Sequence, residues 1–217
     1  MTNTRNDLRQ GTLWKQILFF SLPIAATSML QQLFNSADVA VVGRFSAQKD
    51  LALAAVGSTS SVVNLFITII TGLAVGANVV IARSIGASDE KRARQAVHTA
   101  LILSLLCGAI LLVLGECIAL PLLEIMDTPS DIIGLAGKYL RIYMLGVFFQ
   151  TIYNFEASIL RANGDTRRPL FCLIFSGAVN VVLNLVFVIG FQLDVAGVAI
   201  ATVLAQVISL VWQFRLL

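Results

Sequence analysis

The stretch LWKQILFFSLPIAATSMLQQLFNSADVAVVG, residues 13–43, decides the fold class of this 217-residue chain. Its 31 residues are mostly apolar, and an α-helix needs about 20 residues to cross the hydrocarbon of a bilayer. The apolar core of a cleavable signal peptide is shorter, about 7–15 residues. The stretch is therefore predicted to be a transmembrane helix, with a kink at Pro23, which lacks the N–H needed for the helical hydrogen-bond ladder.

The composition extends this interpretation to the whole chain. Hydrophobic residues make up 58% of the sequence, charged residues only 12%, and the mean hydropathy is +0.87. Water-soluble domains carry about 25% charged residues, so a bilayer is the expected solvent. Six apolar segments are separated by charged or turn-rich breaks, and they predict an all-α bundle of six transmembrane helices. The segments are 13–43, 51–85, 93–120, 132–160, 169–191 and 195–217. In the second, Gly57, Gly72 and Gly76 favour close helix contact.

The basic residues predict the orientation of the bundle. The net charge of +3 does not indicate a nucleic-acid partner, because in a membrane protein the position of each Lys and Arg matters more than their sum. Eleven basic residues fall on one predicted side and four on the other. The eleven are Arg5, Arg9, Lys15, Arg83, Lys91, Arg92, Arg94, Arg161, Arg167, Arg168 and Arg215; the four are Arg44, Lys49, Lys138 and Arg141. The positive-inside rule then places both chain ends in the cytoplasm, in a plasma (inner) membrane.

Polar residues recur on single faces of five predicted helices. Spacings of three and four residues share a helical face, and polar groups in a membrane interior are costly unless they serve a purpose. Two readings stay open: a water-accessible substrate cavity, or interhelical hydrogen bonds, which we favour for any single Ser or Thr. For the set, large amides in register favour the cavity. The predicted cavity residues are Gln31, Asn35, Asn64, Thr68, Tyr139, Tyr143, Gln150, Asn154 and Gln206.

Asp38 is the one carboxylate predicted to lie deep within an apolar span. An ionisable residue there is a functional-site hypothesis by default, since burial favours the neutral form and couples the group to a proton or another cation. Glu156 lies near the cytoplasmic end of the fourth helix, and an ion pair with Arg161 is expected. Cys107, Cys117 and Cys172 sit in apolar runs without a CxxC pair. They predict neither a disulfide nor a zinc site, and no cofactor is expected.

The chain resembles the multidrug and toxic compound extrusion (MATE) family from about residue 13 to 217. Four stretches carry the resemblance through their order and spacing. They are SLPIAATSMLQQLFNSADVAVVGR at 21–44, GLAVGANVVIARSIGASDEKRARQAV at 72–97, ILRANGDTRRP at 159–169 and NVVLNLVFVIGFQLDVAGVAIATVLAQ at 180–206.

The resemblance implies one lobe of a twelve-helix, two-lobe transporter, with this chain as the N-terminal lobe. Such proteins export drugs and amphipathic compounds against an H⁺ or Na⁺ gradient by alternating access. The family's cation site corresponds here to Asp38, Asn180, Asn184 and Thr202. Position 184 is Asp in some members, so a two-carboxylate mechanism is in doubt, whereas one Asp with amide and hydroxyl oxygens suits Na⁺. The implied partners are the substrate, the lipid bilayer and a C-terminal lobe.

Three alternatives remain beside this interpretation. A flippase for lipid-linked precursors has a related bundle but would need a more basic cavity than Asp38 indicates. A membrane-embedded enzyme is disfavoured, because the predicted spans contain no His-rich cluster, paired Asp motif or Ser–Lys arrangement. The third alternative is a lobe that is inactive without its partner.

Overall fold

The protein is described by a computed structural model that covers residues 13–46 and 48–216, without the side chains of Leu13, Lys15 and Gln16. The predicted basic residues Arg5, Arg9 and Lys15 therefore lie outside the described side chains. Six α-helices follow one another: α1 (Leu13–Phe45), α2 (Lys49–Gly86), α3 (Glu90–Ile125), α4 (Ile133–Ala162), α5 (Arg167–Leu185) and α6 (Asp194–Phe214). A single π-helical segment, Val186–Gly190, continues α5. The predicted all-α six-helix membrane bundle is confirmed.

Polar side chains form hydrogen bonds at the starts of α3, α5 and α6. Asp89 accepts a hydrogen bond from the backbone N–H of Arg92 (2.9 Å) and so caps the start of α3. Asp165 accepts from the N–H groups of Arg167 and Arg168 at the start of α5, and its carboxylate pairs with the Arg168 guanidinium at 3.0 Å. At the other end of the bundle, Ser46 donates to Asp194 (2.8 Å), which ties the segment after α1 to the start of α6.

Helix α4 lies at the centre of the lobe. It packs against α2, α3 and α6, while α5 packs against α6 and α1. Five of the described helical segments are long and apolar enough to cross a bilayer, and α4 is the exception. Because most of the α4 surface is covered by neighbouring helices, the polar side chains of Tyr139, Tyr143 and Glu156 are shielded from lipid. A central helix can therefore carry polar residues that a lipid-facing helix could not.

The outer surface is apolar, as a bilayer solvent requires. Met29 and Leu22 of α1 and Phe171 of α5 are each at least two-thirds exposed, and Val113 of α3 is 58% exposed. The interior core is formed instead by buried side chains from α1, α2, α3, α4 and α6 around Phe66, Leu140 and Met144. Large apolar side chains thus face both inward and outward, which is typical of a helix bundle in lipid.

Close helix contact occurs at glycines other than those predicted. A Cβ added to Gly57, Gly72 or Gly76 would meet no atom within 4 Å among the described residues, so the expectation for these α2 glycines is wrong. A Cβ on Gly177 of α5 would lie about 2.0 Å from the ring of Phe34 on α1. The absence of a side chain at Gly177 therefore allows α1 to approach α5.

We expect Gly177→Ala to lower the free energy of unfolding by about 1–3 kcal/mol, the usual cost of overpacking a tight contact. The Phe34 ring would have to move, and α1 would separate from α5. Thermal unfolding in detergent measures the effect. Gly76→Ala is the matched control, since its new methyl group meets open space; equal unfolding midpoints for both variants would contradict the contact.

Candidate functional site

Four polar side chains from α1, α5 and α6 form a ring inside the lobe, and each lies within hydrogen-bonding distance of the next. The Asn184 amide donates to Oδ1 of Asp38 at 2.5 Å and to Oδ1 of Asn180 at 3.2 Å. The Asn180 amide donates to the Thr202 hydroxyl at 3.3 Å, and that hydroxyl lies 3.4 Å from Oδ2 of Asp38. The structure thus brings together the four residues predicted as the cation-coupling set, while their role remains a prediction.

Local helix geometry explains how the ring is assembled. Asn180 and Asn184 are one turn apart on α5 and therefore share a face. Gly177 lies on that face one turn earlier, and Phe34 precedes Asp38 by one turn on α1. The close contact of Phe34 with Gly177 therefore lies next to the contact of Asp38 with Asn184. The π-helical segment begins two residues after Asn184, and such segments often occur at functional sites.

The ring is rich in oxygen acceptors and poor in donors. The Thr202 hydroxyl has a single hydrogen, and the Val198 carbonyl at 2.9 Å is a nearer acceptor for it than Asp38. Oδ1 of Asn184 is buried and has no hydrogen-bond partner among the described residues. A carboxylate, two amide oxygens and a hydroxyl are ligands that suit a hard cation such as Na⁺. Bound H⁺ would instead protonate Asp38 directly.

A second polar group extends from α4 to α6. The rings of Tyr139 and Tyr143 stack at 6.0 Å, and both interact electrostatically with Asp38. The Tyr143 hydroxyl lies 3.5 Å from Oε1 of Gln150, and the Gln206 amide donates to the same oxygen at 3.4 Å. Gly146 leaves the space into which Gln206 extends. Four of the nine predicted cavity residues thus lie together beside the ring.

The other five predicted cavity residues are more dispersed. Asn35, Asn64 and Thr68 are exposed on the surface of the lobe, and Gln31 is half-buried. Asn154 is half-buried and donates to the Gln150 carbonyl of its own helix at 2.8 Å. A cavity of about 380 Å³ lies elsewhere, between α3, α4 and α6, and none of the nine residues lines it.

Several threonine hydroxyls form hydrogen bonds within their own helix rather than between helices. Thr27, Thr59, Thr68 and Thr151 each donate to a carbonyl three or four residues earlier in their own helix, because that carbonyl is within reach of a short side chain. Amides bridge the helices instead. Besides the ring, Asn78 of α2 donates to the Ser158 carbonyl (2.8 Å), and Gln213 of α6 donates to the Tyr153 carbonyl (2.9 Å). The preference for a hydroxyl role between helices is wrong for these residues.

Glu156 corrects two expectations. It is fully buried, so Asp38 is not the single carboxylate inside the lobe, and neither of its oxygens has a hydrogen-bond partner among the described residues. The expected ion pair with Arg161 is therefore wrong. Five residues correspond to about 140° around a helix at 3.6 residues per turn, so the two side chains leave α4 in different directions. The sequence placed Glu156 close to Arg161 along the chain but did not show which neighbouring helices cover it.

A bundle of apolar helices around a buried, carboxylate-centred polar interior defines a multi-pass membrane protein. The chain belongs to the MatE family, whose model matches residues 23–186. It is not an enzyme, since the family consists of transporters.

The relatives agree with this family assignment. The chain is 33% identical over 210 residues to the probable multidrug resistance protein YpnP of Bacillus subtilis, covering 95% of this chain and 46% of YpnP. It is 30% identical over 203 residues to the probable multidrug resistance protein YoeA of the same organism, covering 90% of this chain and 43% of YoeA. A crystal structure of MATE in the bent conformation superimposes with a TM-score of 0.90 at 30% identity, covering 98% of this chain and 47% of that one. The chain thus spans about half the length of these proteins, as one lobe would.

We expect loss of the Asp38 charge to lower the free energy of unfolding less than loss of the Asn184 amide, which donates to Asp38. In Asp38→Asn, the new amide oxygen can still accept from Asn184, and a neutral amide is cheaper to bury than a carboxylate. In Asn184→Leu, the Asp38 carboxylate loses its nearest donor, which should lower the free energy of unfolding by about 1–3 kcal/mol. Thermal unfolding in detergent compares the two.

Asn35→Leu is the matched control, because Asn35 is exposed on the same helix as Asp38 and its change should leave the midpoint unaltered. A larger loss of stability in Asp38→Asn than in Asn184→Leu would contradict the donor role assigned to Asn184.

Proposed function

We propose that this chain is the N-terminal lobe of a cation-coupled secondary antiporter that exports drugs or other amphipathic organic compounds. The observation that carries the proposal is the ring of Asp38, Asn180, Asn184 and Thr202. It groups the buried Asp38 carboxylate with the side-chain oxygens of Asn180, Asn184 and Thr202, and a cation bound there would be paired with the single negative charge of the ring. The names of the relatives YpnP and YoeA support multidrug export.

Cation binding at Asp38 would shift the equilibrium between two conformations of the transporter, each open to a different side of the membrane. A ligand shifts such an equilibrium only through its different affinity for the two states. Asp38 and Asn184 lie on different helices, α1 and α5, so a cation that replaces the Asn184 hydrogen bond changes how these helices are held together. The coupling ion is H⁺ or Na⁺, and the ring supports both with one carboxylate.

The substrate pathway would lie between this lobe and a C-terminal lobe. In transporters of this kind, alternating access is largely the movement of one helical repeat against another around a central site. The exposed polar residues Asn35, Asn64 and Thr68 fit a surface that faces such a cavity rather than lipid. A flippase with a basic cavity is less well supported, because the buried charged side chains among the described residues are Asp38 and Glu156, both acidic.

We expect both ends of this lobe to face the cytoplasm of an inner membrane, since basic residues concentrate at the connections between α2 and α3 and between α4 and α5. Single cysteines placed at Glu90 and Asp165, with Cys107, Cys117 and Cys172 replaced by Ser, should resist an impermeant thiol reagent in intact cells and react after lysis. A cysteine at Lys49 is the control and should react in intact cells. Fast labelling at position 90 or 165 in intact cells would contradict the predicted orientation.

We expect Asp38→Asn in the two-lobe protein to reduce gradient-driven efflux at least tenfold, because the change removes the titratable charge and keeps the side chain's size. The measurement is drug efflux from proteoliposomes under separately imposed H⁺ and Na⁺ gradients. The 217-residue lobe reconstituted by itself should be silent, since it supplies one wall of the cavity. Near-normal efflux by Asp38→Asn under both gradients would remove Asp38 from the mechanism.

A further inference from the structure

Glu156 is a buried negative charge that the proposed mechanism does not use. Its side chain is 0% exposed on α4, and both carboxylate oxygens lack a hydrogen-bond partner among the described residues. The carboxylates of Asp38 and Asp165, in contrast, both accept hydrogen bonds. An uncompensated buried carboxylate is costly, so a positively charged partner would stabilise it.

A cleft between α3, α4 and α6 leads to Glu156. Its volume is about 380 Å³, and its walls are almost entirely apolar, with Leu101 and Leu105 of α3 facing Val211 and Phe214 of α6. Small-molecule sites commonly measure about 300–1,000 Å³, with apolar walls and few polar groups. The cleft therefore combines the size and the lining of a ligand site with one acidic group.

The chemistry of the cleft selects one class of ligand. The Ser104 hydroxyl also lines it but donates to the Leu101 carbonyl at 2.7 Å, so it does not compensate Glu156. A metal ion would require several oxygen ligands, and the cleft supplies few besides the carboxylate. An organic cation requires only the negative charge and apolar contact for its body. Arg215 also lines the cleft, and its positive charge disfavours a ligand that carries more than one positive charge.

We propose that the cleft between α3, α4 and α6 is a second binding site, for a lipophilic organic monocation, with Glu156 as its counter-ion. The site is separate from the ring around Asp38 and shares no residue with it. A ligand would reach it from the outer, apolar surface of the lobe, where Leu105 and Val211 are each about half exposed. The proposal does not depend on the transport mechanism.

Equilibrium binding of tetraphenylphosphonium to the chain in lipid nanodiscs tests this site, with empty nanodiscs subtracted. We expect saturable binding that Glu156→Gln weakens at least tenfold. Arg215→Gln should strengthen binding several-fold, because it removes a repulsive charge from the cleft. Tetraphenylborate, an anion of the same shape, should not bind the unchanged chain in a saturable manner.

Matched variants inside and outside the cleft distinguish binding in the cleft from nonspecific binding to the protein. Val211→Trp should fill the cleft and abolish binding with Glu156 still present, whereas Val113→Trp adds the same volume at an exposed position of α3 outside the cleft. Glu116→Gln removes a different α3 carboxylate and should bind normally. Absence of saturable binding, or unchanged affinity in both Glu156→Gln and Val211→Trp, would overturn the proposal. Binding that persists in Glu156→Gln and disappears in Asp38→Asn would place the cation in the ring instead.

Discussion

The buried carboxylate of Asp38 is the constraint on which the interior of the lobe depends. A negative charge among apolar helices must be solvated largely by the protein itself, since Asp38 is only 7% exposed. The Asn184 amide takes the place of water as a donor to Asp38, and Asn180 links Asn184 to Thr202. To bring these groups into contact, α1, α5 and α6 must meet at one depth. The contact at Gly177, one turn away, allows α1 to come that close to α5.

Helix α4 provides a second set of polar side chains in the interior of the lobe. It is covered by α2, α3 and α6, and it carries on one stretch the two tyrosines near Asp38, Gln150 and the buried Glu156. Its central position explains why a helix that is not apolar enough to be recognised as a span by itself is stable within the lobe. Amides form interhelical hydrogen bonds because their side chains reach across a helix interface, whereas the hydroxyls of Thr27, Thr59 and Thr151 donate to the preceding turn of their own helix.

The two buried carboxylates illustrate two solutions to the same energetic problem. Asp38 accepts a hydrogen bond from the Asn184 amide of α5, and the Thr202 hydroxyl of α6 lies 3.4 Å from it. Glu156 has no such donors and lies against an apolar cleft. The first arrangement suits a group that responds to an ion gradient. The second arrangement suits a carboxylate that pairs with the positive charge of a bound ligand. The two carboxylates differ in their surroundings because different helices cover them.

The sequence alone determined the membrane solvent, the six helices and the interior position of Asp38, because hydropathy, length and helical spacing are local properties. The one-turn spacing of Asn180 and Asn184 was also visible, although their assignment with Asp38 and Thr202 to one site came from family resemblance. Only the tertiary structure decided that these four side chains close a ring, that Gly177 rather than Gly57, Gly72 or Gly76 makes a close contact, and that Glu156 is buried without Arg161. A periodic pattern states which residues share a face of one helix. Which neighbouring helix covers that face depends on contacts between residues far apart in the chain.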